Sequence, residues 1–393
     1  MKSWNLSARA TLFLLSALCV LCNPSGTLLS AAAQSAALTP LKIATLSPLS
    51  GPLAQTGEQL KQGAQLALEA AKPAFARLGF ALELSPQDDQ ASADVGAAAA
   101  RRLLSDSSVL AVVGAVNSSV VLVASSIFAD DKLSLLVPAA TANAITERGL
   151  TNVFRIGARD SQQGAAAGKF ILEKFKSRKV YLINDKSAYG AGLTLEVSKA
   201  LEGKTTLVAN EGTEEKLEFS SLIIKIKALE PDLIYFGGTY PQVGAFLKQL
   251  RSSGVSTQVM GGHGLDSSGL AQIAGNAAQG VVFTTVAAPV SEIPRAQSFF
   301  SAYKTAYGKE ADGYGLLAYE AMRTALEGVK RSIVTQGERP TRAAIARAIS
   351  SATVNGLSGK IQFDNRGDRV KPRIFVLELN EKFQKVKLGM FAP

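Results

Sequence analysis

The chain has 393 residues, 47% of them hydrophobic and 19% charged, with 42 basic against 32 acidic side chains, one histidine and two cysteines. Both cysteines, Cys19 and Cys22, fall within the first 33 residues, so the rest of the chain carries no disulfide, thiol nucleophile or thiolate metal site. The net charge of +10 is scattered (Lys174, Lys176, Arg178 and Lys179; Lys225 and Lys227) and not interleaved with aromatics, whereas a nucleic-acid interface concentrates its basic residues in a stripe.

In chain order, residues 1–33 read as a secretory signal. Lys2 and Arg9 start it, an apolar run follows from Thr11 to Cys22, and Ala31-Ala32-Ala33 forms an A-x-A site with cleavage expected before Gln34. The run is shorter than the roughly 20 residues a spanning helix needs. A lipobox is set aside because Leu18 and Leu21, not small residues, precede the cysteines. The mature chain of about 360 residues is expected outside the cytoplasm, with room for two domains. Its only tryptophan, Trp4, leaves with the signal.

Beyond it, strand-like runs alternate with helical patterns. Strands are expected at 41–46, 81–85, 109–116, 133–137, 179–184, 205–210, 232–237, 258–261 and 281–286, and again at 361–364 and 373–379. Most are continuous apolar runs, as in parallel strands buried on both faces. Helices are expected at 56–72, 97–104, 118–130, 164–175, 190–201, 220–229, 243–252, 295–307, 316–332 and 341–350. The first would open on a capping box, with Thr56 and Gln59 three residues apart, and would turn Leu60, Ala64, Ala67, Leu68 and Ala71 to one face. This alternation specifies an α/β architecture with helices on both faces of the sheets.

The pattern pauses at 152–160 and at 287–294, and helices without strands fill 295–350. The expected division is therefore a signal at 1–33, one lobe from 41–157 plus 289–360, and a second from 158–288 plus 361–393. A chain that crosses between lobes more than once makes a hinge and leaves a cleft. Ligands of such sheets sit beyond the carboxyl ends of the strands, at helix N-termini.

Five segments occupy such ends. Ser47-Pro48-Leu49-Ser50-Gly51-Pro52 follows the first strand. Gly114-Ala115-Val116-Asn117-Ser118-Ser119 opens a helix, and the free N–H groups with the hydroxyls of Ser118 and Ser119 suit a carboxylate; simple capping by Asn117 or Ser118 is the bland alternative. Pro138-Ala139-Ala140-Thr141 offers small residues and a hydroxyl, or another cap. In Asp185-Lys186-Ser187-Ala188-Tyr189-Gly190, the Tyr189 ring could cover a ligand or pack locally. The last pair is Gly237-Gly238-Thr239-Tyr240 and Gly261-Gly262-His263-Gly264, which holds the only histidine of the chain.

Taken in this order, with LSGPLAQTGEQLKQGAQLA, LVPAATANAITERG, NDKSAYGAGL and YFGGTYPQVGAFLKQLRSSG as the most specific stretches, the mature chain resembles the branched-chain amino-acid-binding proteins of bacterial ABC transporters, the type I periplasmic binding proteins. The resemblance implies two Rossmann-like lobes with parallel central sheets, three crossovers and closure on a solute. It implies that Ser118 and the loop Ala139, Ala140 and Thr141 hold an α-carboxylate, and that Tyr189 packs on the ligand. It departs where the family's acidic partner of the α-ammonium falls on His263, where a common tyrosine falls on Thr239 with Tyr240 beside it, and where a tyrosine of the first loop falls on Thr56. The places of a small disulfide are taken by Ala91 and Asn117. A neutral imidazole cannot replace a carboxylate beside an ammonium, so either Asp266 or Asp160 supplies the charge or the ligand is not an α-amino acid but an organic acid, an amide or an aromatic acid.

No cofactor is expected, and the partners expected are a small amino acid or related carboxylate and the permease subunits of an ABC transporter, with the protein a monomer. A sensor built on the same clamshell is the first alternative. An enzyme is the second, against which stand the missing G-x-S-x-G and G-x-G-x-x-G motifs and the lack of a metal-ligand cluster in the sequence.

Overall fold

The computed structural model describes residues 38–392 apart from 288, 290 and 291. The expected signal segment, its cleavage site, Trp4 and both cysteines lie outside the described residues, as does part of the second pause.

The first half runs β1 (Thr39–Ser47), α1 (Ala54–Ala76), β2 (Phe80–Asp88), α2 (Ala93–Ser105), β3 (Val109–Gly114), α3 (Ser118–Ile127), β4 (Ser134–Val137) and β5 (Val153–Arg155). The chain continues through α4 (Asp160–Phe170), β6 (Lys179–Asn184), α5 (Ala188–Leu201), β7 (Thr206–Gly212), α6 (Ser220–Leu229), β8 (Leu233–Gly237), α7 (Tyr240–Ser252), β9 (Gln258–Gly261), α8 (Gly269–Ala274) and β10 (Val282–Thr285). It ends with α9 (Gln297–Tyr307), α10 (Gly313–Gln336), α11 (Arg342–Ser350), the hairpin β11 (Val354–Gly356) and β12 (Gly359–Ile361), then β13 (Ile374–Leu379) and β14 (Lys385–Phe391).

Two sheets organise these elements. One has the order β2-β1-β3-β4-β5, all parallel. Its strands read as unbroken apolar runs because both faces are covered: Ile43 packs with Leu60, Leu68 and Leu317 from α1 and α10, while the next residue, Ala44, packs with Ala99 and Val120 from α2 and α3. The other sheet has the order β14-β13-β10-β9-β8-β6-β7. There Leu182 packs with Phe170 and Leu193 on the α4–α5 side, and Tyr181 and Ile183 pack with Phe236 and Phe246 on the α6–α7 side. Its centre, β10-β9-β8-β6-β7, is parallel as expected, and an antiparallel edge is added to it: β13 runs antiparallel to β10 and β14 antiparallel to β13. The link Asn380–Gln384 is too short to carry a crossover, so β14 returns beside β13 as a hairpin.

Three segments join the sheets: 156–159, which leads from β5 into α4; 286–296, which leaves β10; and 362–373, which leads from β12 into β13. Residues 152–160, expected as a pause, thus hold a short strand and the first of these segments. The capping box was also misplaced. Helix α1 begins at Ala54 with Leu53 at its N-cap and no side-chain cap. Thr56 and Gln59 are buried instead. Gln59 donates from Nε2 to the Glu310 carbonyl at 3.1 Å and accepts from the Tyr303 hydroxyl at 2.8 Å, holding the start of α1 to the approach to α10.

Candidate functional site

The carboxyl ends of β3 and β4 bring two of the expected segments side by side. Ser118, the first residue of α3, is 1% exposed, and its Oγ accepts from the Ala142 N–H at 3.3 Å. The helix start is thereby tied to the loop after β4, where Ala139, Ala140 and Thr141 are all buried. Asn117 stands at the N-cap, but its side chain does not cap α3, and its Oδ1 is buried without a protein partner among the described residues. The capping alternative therefore fails here, leaving the positive end of a helix facing the loop. Ser119 follows, half-buried.

The loop after β4 is braced from behind by Arg155, the last residue of β5, which is wholly buried. Its Nη1 donates to the Ala142 carbonyl at 2.9 Å, its Nη2 to the Thr146 hydroxyl at 2.7 Å, and its Nε pairs with Asp368 at 2.8 Å. Asp368 also accepts from Thr146 at 2.9 Å and lies 3.4 Å from Arg159. The network links the first joining segment to the third and fixes the loop between them.

Asp160, the first residue of α4, donates its backbone N–H to the Thr141 carbonyl at 2.8 Å. Its carboxyl is fully buried, and neither oxygen has a hydrogen-bond partner among the described residues. The Thr141 hydroxyl lies beside it, also unpartnered, and the buried Tyr235 hydroxyl is unpartnered in the same neighbourhood. Oδ2 lies 2.8 Å from where a Cβ on Gly192 of α5 would be. Burial pushes the Asp160 carboxyl up to about 7, against the pull of Thr141 and of Arg155.

The second lobe supplies a facing cluster. Tyr189 is buried, its hydroxyl accepts from the Gly264 N–H at 2.9 Å, and its ring meets the His263 ring edge-on at 4.9 Å. Packing and covering were posed as alternatives for Tyr189; its local packing is what orients the ring. Gln163 holds the histidine: its Oε1 accepts from the His263 N–H at 2.9 Å and from Thr284 at 2.7 Å, and its Nε2 lies 3.4 Å from Nδ1. From α10, the Tyr314 hydroxyl donates to the His263 carbonyl at 3.0 Å. Burial pushes the imidazole down to about 4, although Asp266 and the Ala139 carbonyl favour its protonation. His263 is therefore neutral at pH 7 and reaches the Ala139 loop of the other lobe. Thr239, half-buried at the N-cap of α7, lies outside this bonded cluster, and its neighbour Tyr240 donates instead to the Pro52 carbonyl at 2.9 Å.

Asp266 is not free to balance a ligand's charge. It pairs with Lys385 of β14 and accepts from Thr285 at 2.6 Å. The lobes touch further through Gln55 and Ser268 at 2.7 Å and through Asn143 and Glu196 at 3.2 Å. Among the described residues no group of histidines, cysteines and carboxylates could hold a metal ion, and no helix is long and apolar enough to cross a membrane.

Glycine at 264 is required by packing: a Cβ there would fall 2.5 Å from the Gly238 carbonyl oxygen and 3.0 Å from the Tyr189 ring. Gly264→Ala is expected to lower stability by about 1–3 kcal/mol, read as a fall in the denaturant midpoint. An unchanged midpoint would mean that this loop yields without cost.

Gln163, Tyr235, Tyr314, Arg155 and Asp368 were not foreseen as site residues. Arg155 left one sign, an arginine inside the apolar run Val153–Ile156, where a charge is rare unless paired. The others act through contacts between distant segments and leave no local sign.

The sequence profile of the family described as periplasmic binding protein matches residues 40–384. The leucine-, isoleucine-, valine-, threonine- and alanine-binding protein of Pseudomonas aeruginosa is 32% identical over 342 residues, 86% of this chain and 89% of that protein. The Leu/Ile/Val-binding protein of Escherichia coli K12 is 31% identical over 330 residues, 84% of this chain and 88% of that protein. Among solved structures, a leucine-binding protein from Thermotoga maritima superposes with a TM-score of 0.82 at 28% identity, covering 90% of this chain and 99% of that one.

Proposed function

The chain belongs to the periplasmic binding protein family and has a solute-binding role, and on that premise we propose that its solute is a zwitterionic amino acid whose ammonium is held by Asp160. The observation that carries this is the pair of unpartnered Asp160 oxygens, fully buried beside the unpartnered Thr141 hydroxyl. A buried carboxylate without a counter-charge is costly, and a ligand ammonium supplies one. Ser118 and the Ala139–Thr141 loop, at the positive end of α3, take the carboxylate. Tyr189 and His263 close over the solute from the second lobe. His263, lacking charge, positions the solute and leaves charge recognition to Asp160. The curated relatives bind leucine, isoleucine and valine, which supports an aliphatic side chain on the solute.

The protein is exported by residues 1–33 and works outside the cytoplasm as a monomer. A solute that prefers the closed state shifts the population toward it, and the permease subunits of an ABC transporter receive that form. This role needs no catalysis and no cofactor.

The neutral His263 favours a second reading, an amine-free carboxylate beside a protonated Asp160. The pH dependence of binding separates the two. Only the ionised Asp160 pairs with an ammonium, so affinity for an amino acid should rise by up to about tenfold per pH unit below 7 and level off above it, with a proton released on binding. An amine-free anion would show the opposite sign, weakening as the pH rises through 7. Titration calorimetry from pH 5.5 to 8.5, in buffers of different ionisation enthalpy, reads both the slope and the proton. Affinity for amino acids that falls with rising pH would remove Asp160 from the ammonium site.

A further inference from the structure

Away from the solute cleft, the second and third joining segments and the β11–β12 hairpin bound a cavity of about 610 Å³. Its wall carries Arg295, Lys360, Arg369, Lys371 and Arg373 against one acid, Glu292. Glu292 is already taken by Lys387 at 2.7 Å, so the cations of the wall have no free carboxylate within the cavity. Two of them converge. A Cβ on Gly359, which has a φ of +118°, would lie 3.7 Å from Nη2 of Arg369 and 4.0 Å from Nη2 of Arg373. Arg369 is 8% exposed, and its nearest acid, Glu320, is 4.0 Å away and accepts from Ser358. Its donors are held by the Lys360 carbonyl at 3.1 and 3.2 Å and by the Ser358 hydroxyl at 2.9 Å. The Arg373 Nη2 donates to the Ser358 carbonyl at 2.6 Å, and its guanidinium lies over the Phe375 ring. The neighbouring Arg373 adds to burial in disfavouring the charge of Arg369. Crowding of like charges in a walled cavity favours a multivalent anion.

We propose that this cavity is an anion site that takes a phosphate-class multivalent oxyanion, bound by Lys360, Lys371 and Arg373 and steadied from below by Arg369. Such an anion bridges the β11–β12 hairpin and the third of the segments that join the lobes.

The test is titration calorimetry of the full mature chain with pyrophosphate at constant ionic strength, with sodium chloride as the matched control. The expected result is saturable binding, weakened at least tenfold in the double variant Lys360→Gln/Lys371→Gln and retained in Lys360→Arg/Lys371→Arg. Both lysines are exposed, and the arginine variant separates lost charge from lost fold. Vesicles of phosphatidylglycerol that bind and are displaced by pyrophosphate would identify a lipid headgroup as the source of the oxyanion; vesicles that stay unbound would identify a free anion. Pyrophosphate binding equal in wild type and glutamine variant, or a response that sodium chloride reproduces, would overturn the proposal.

Discussion

Asp160→Asn is expected to weaken binding of an amino acid by roughly 30- to 1000-fold, the about 2–4 kcal/mol lost when one member of a buried charge pair is truncated. The substitution keeps shape and volume, so the backbone bond from residue 160 to the Thr141 carbonyl remains and the loop stays in place. Stability should move the other way. The folded carboxyl of Asp160 is raised above its unfolded value. Its contribution is therefore fully present below the unfolded value and lost as the pH rises through about 7. At pH 8 the ligand-free wild type carries an ionised, unpartnered carboxylate that the asparagine variant lacks. The variant should unfold at an equal or higher denaturant concentration there, while its affinity collapses. Opposite signs in the two measurements mark a group kept for binding rather than for folding. A variant that loses stability and affinity together would assign Asp160 to the fold alone.

Arg155→Met should produce the largest loss of stability, about 3–5 kcal/mol, because it leaves Asp368 buried with only the more distant Arg159. The same change frees the Ala142 carbonyl and the Thr146 hydroxyl, so the loop that carries Ala139 and Thr141 loses its brace. Solute affinity should fall as well, although Arg155 lies behind the loop and offers the solute no contact of its own. Urea unfolding of the ligand-free protein checks the first effect and titration at a temperature where the variant is folded checks the second. The double variant Arg155→Met/Asp368→Leu should recover part of the stability, since removing both charges leaves neither uncompensated. Additive losses in the double variant would show that the pair is not coupled.

The elements legible in the sequence were those with a local cause. The runs from Leu41 to Leu46 and from Lys179 to Asn184 are apolar on both faces because helices cover both faces of each sheet. Hairpin strands such as β14 escaped because Lys385, Lys387 and their neighbours lie at an exposed edge, where no face is fully buried and the apolar period is weak. Of the candidate site, the sequence pointed to segments that the fold does bring together: small residues after a buried strand at Ser118 and Ala139–Thr141, and the rings of Tyr189 and of His263, the latter between two glycines. Thr239, from the strand-end segment Gly237–Tyr240, stands at the N-cap of α7 outside the bonded cluster. Choosing between Asp160 and Asp266 needed the fold, since only the structure shows that Lys385, 119 residues further along, has taken Asp266. Arg155 and Asp368 meet across 213 residues, and nothing near either one announces the other.

The central claim, an ammonium held by Asp160, is tested most directly by titrating the mature protein, unfolded and refolded to strip carried-over solute, with paired ligands of one skeleton. Each pair sets an aliphatic amino acid against the carboxylic acid that lacks its amine. The account predicts saturable binding of an amino acid and binding of its amine-free partner weaker by roughly a hundredfold or more. Equal or tighter binding of the amine-free acids would contradict it and assign the pocket to carboxylates recognised beside a protonated Asp160 and a neutral His263.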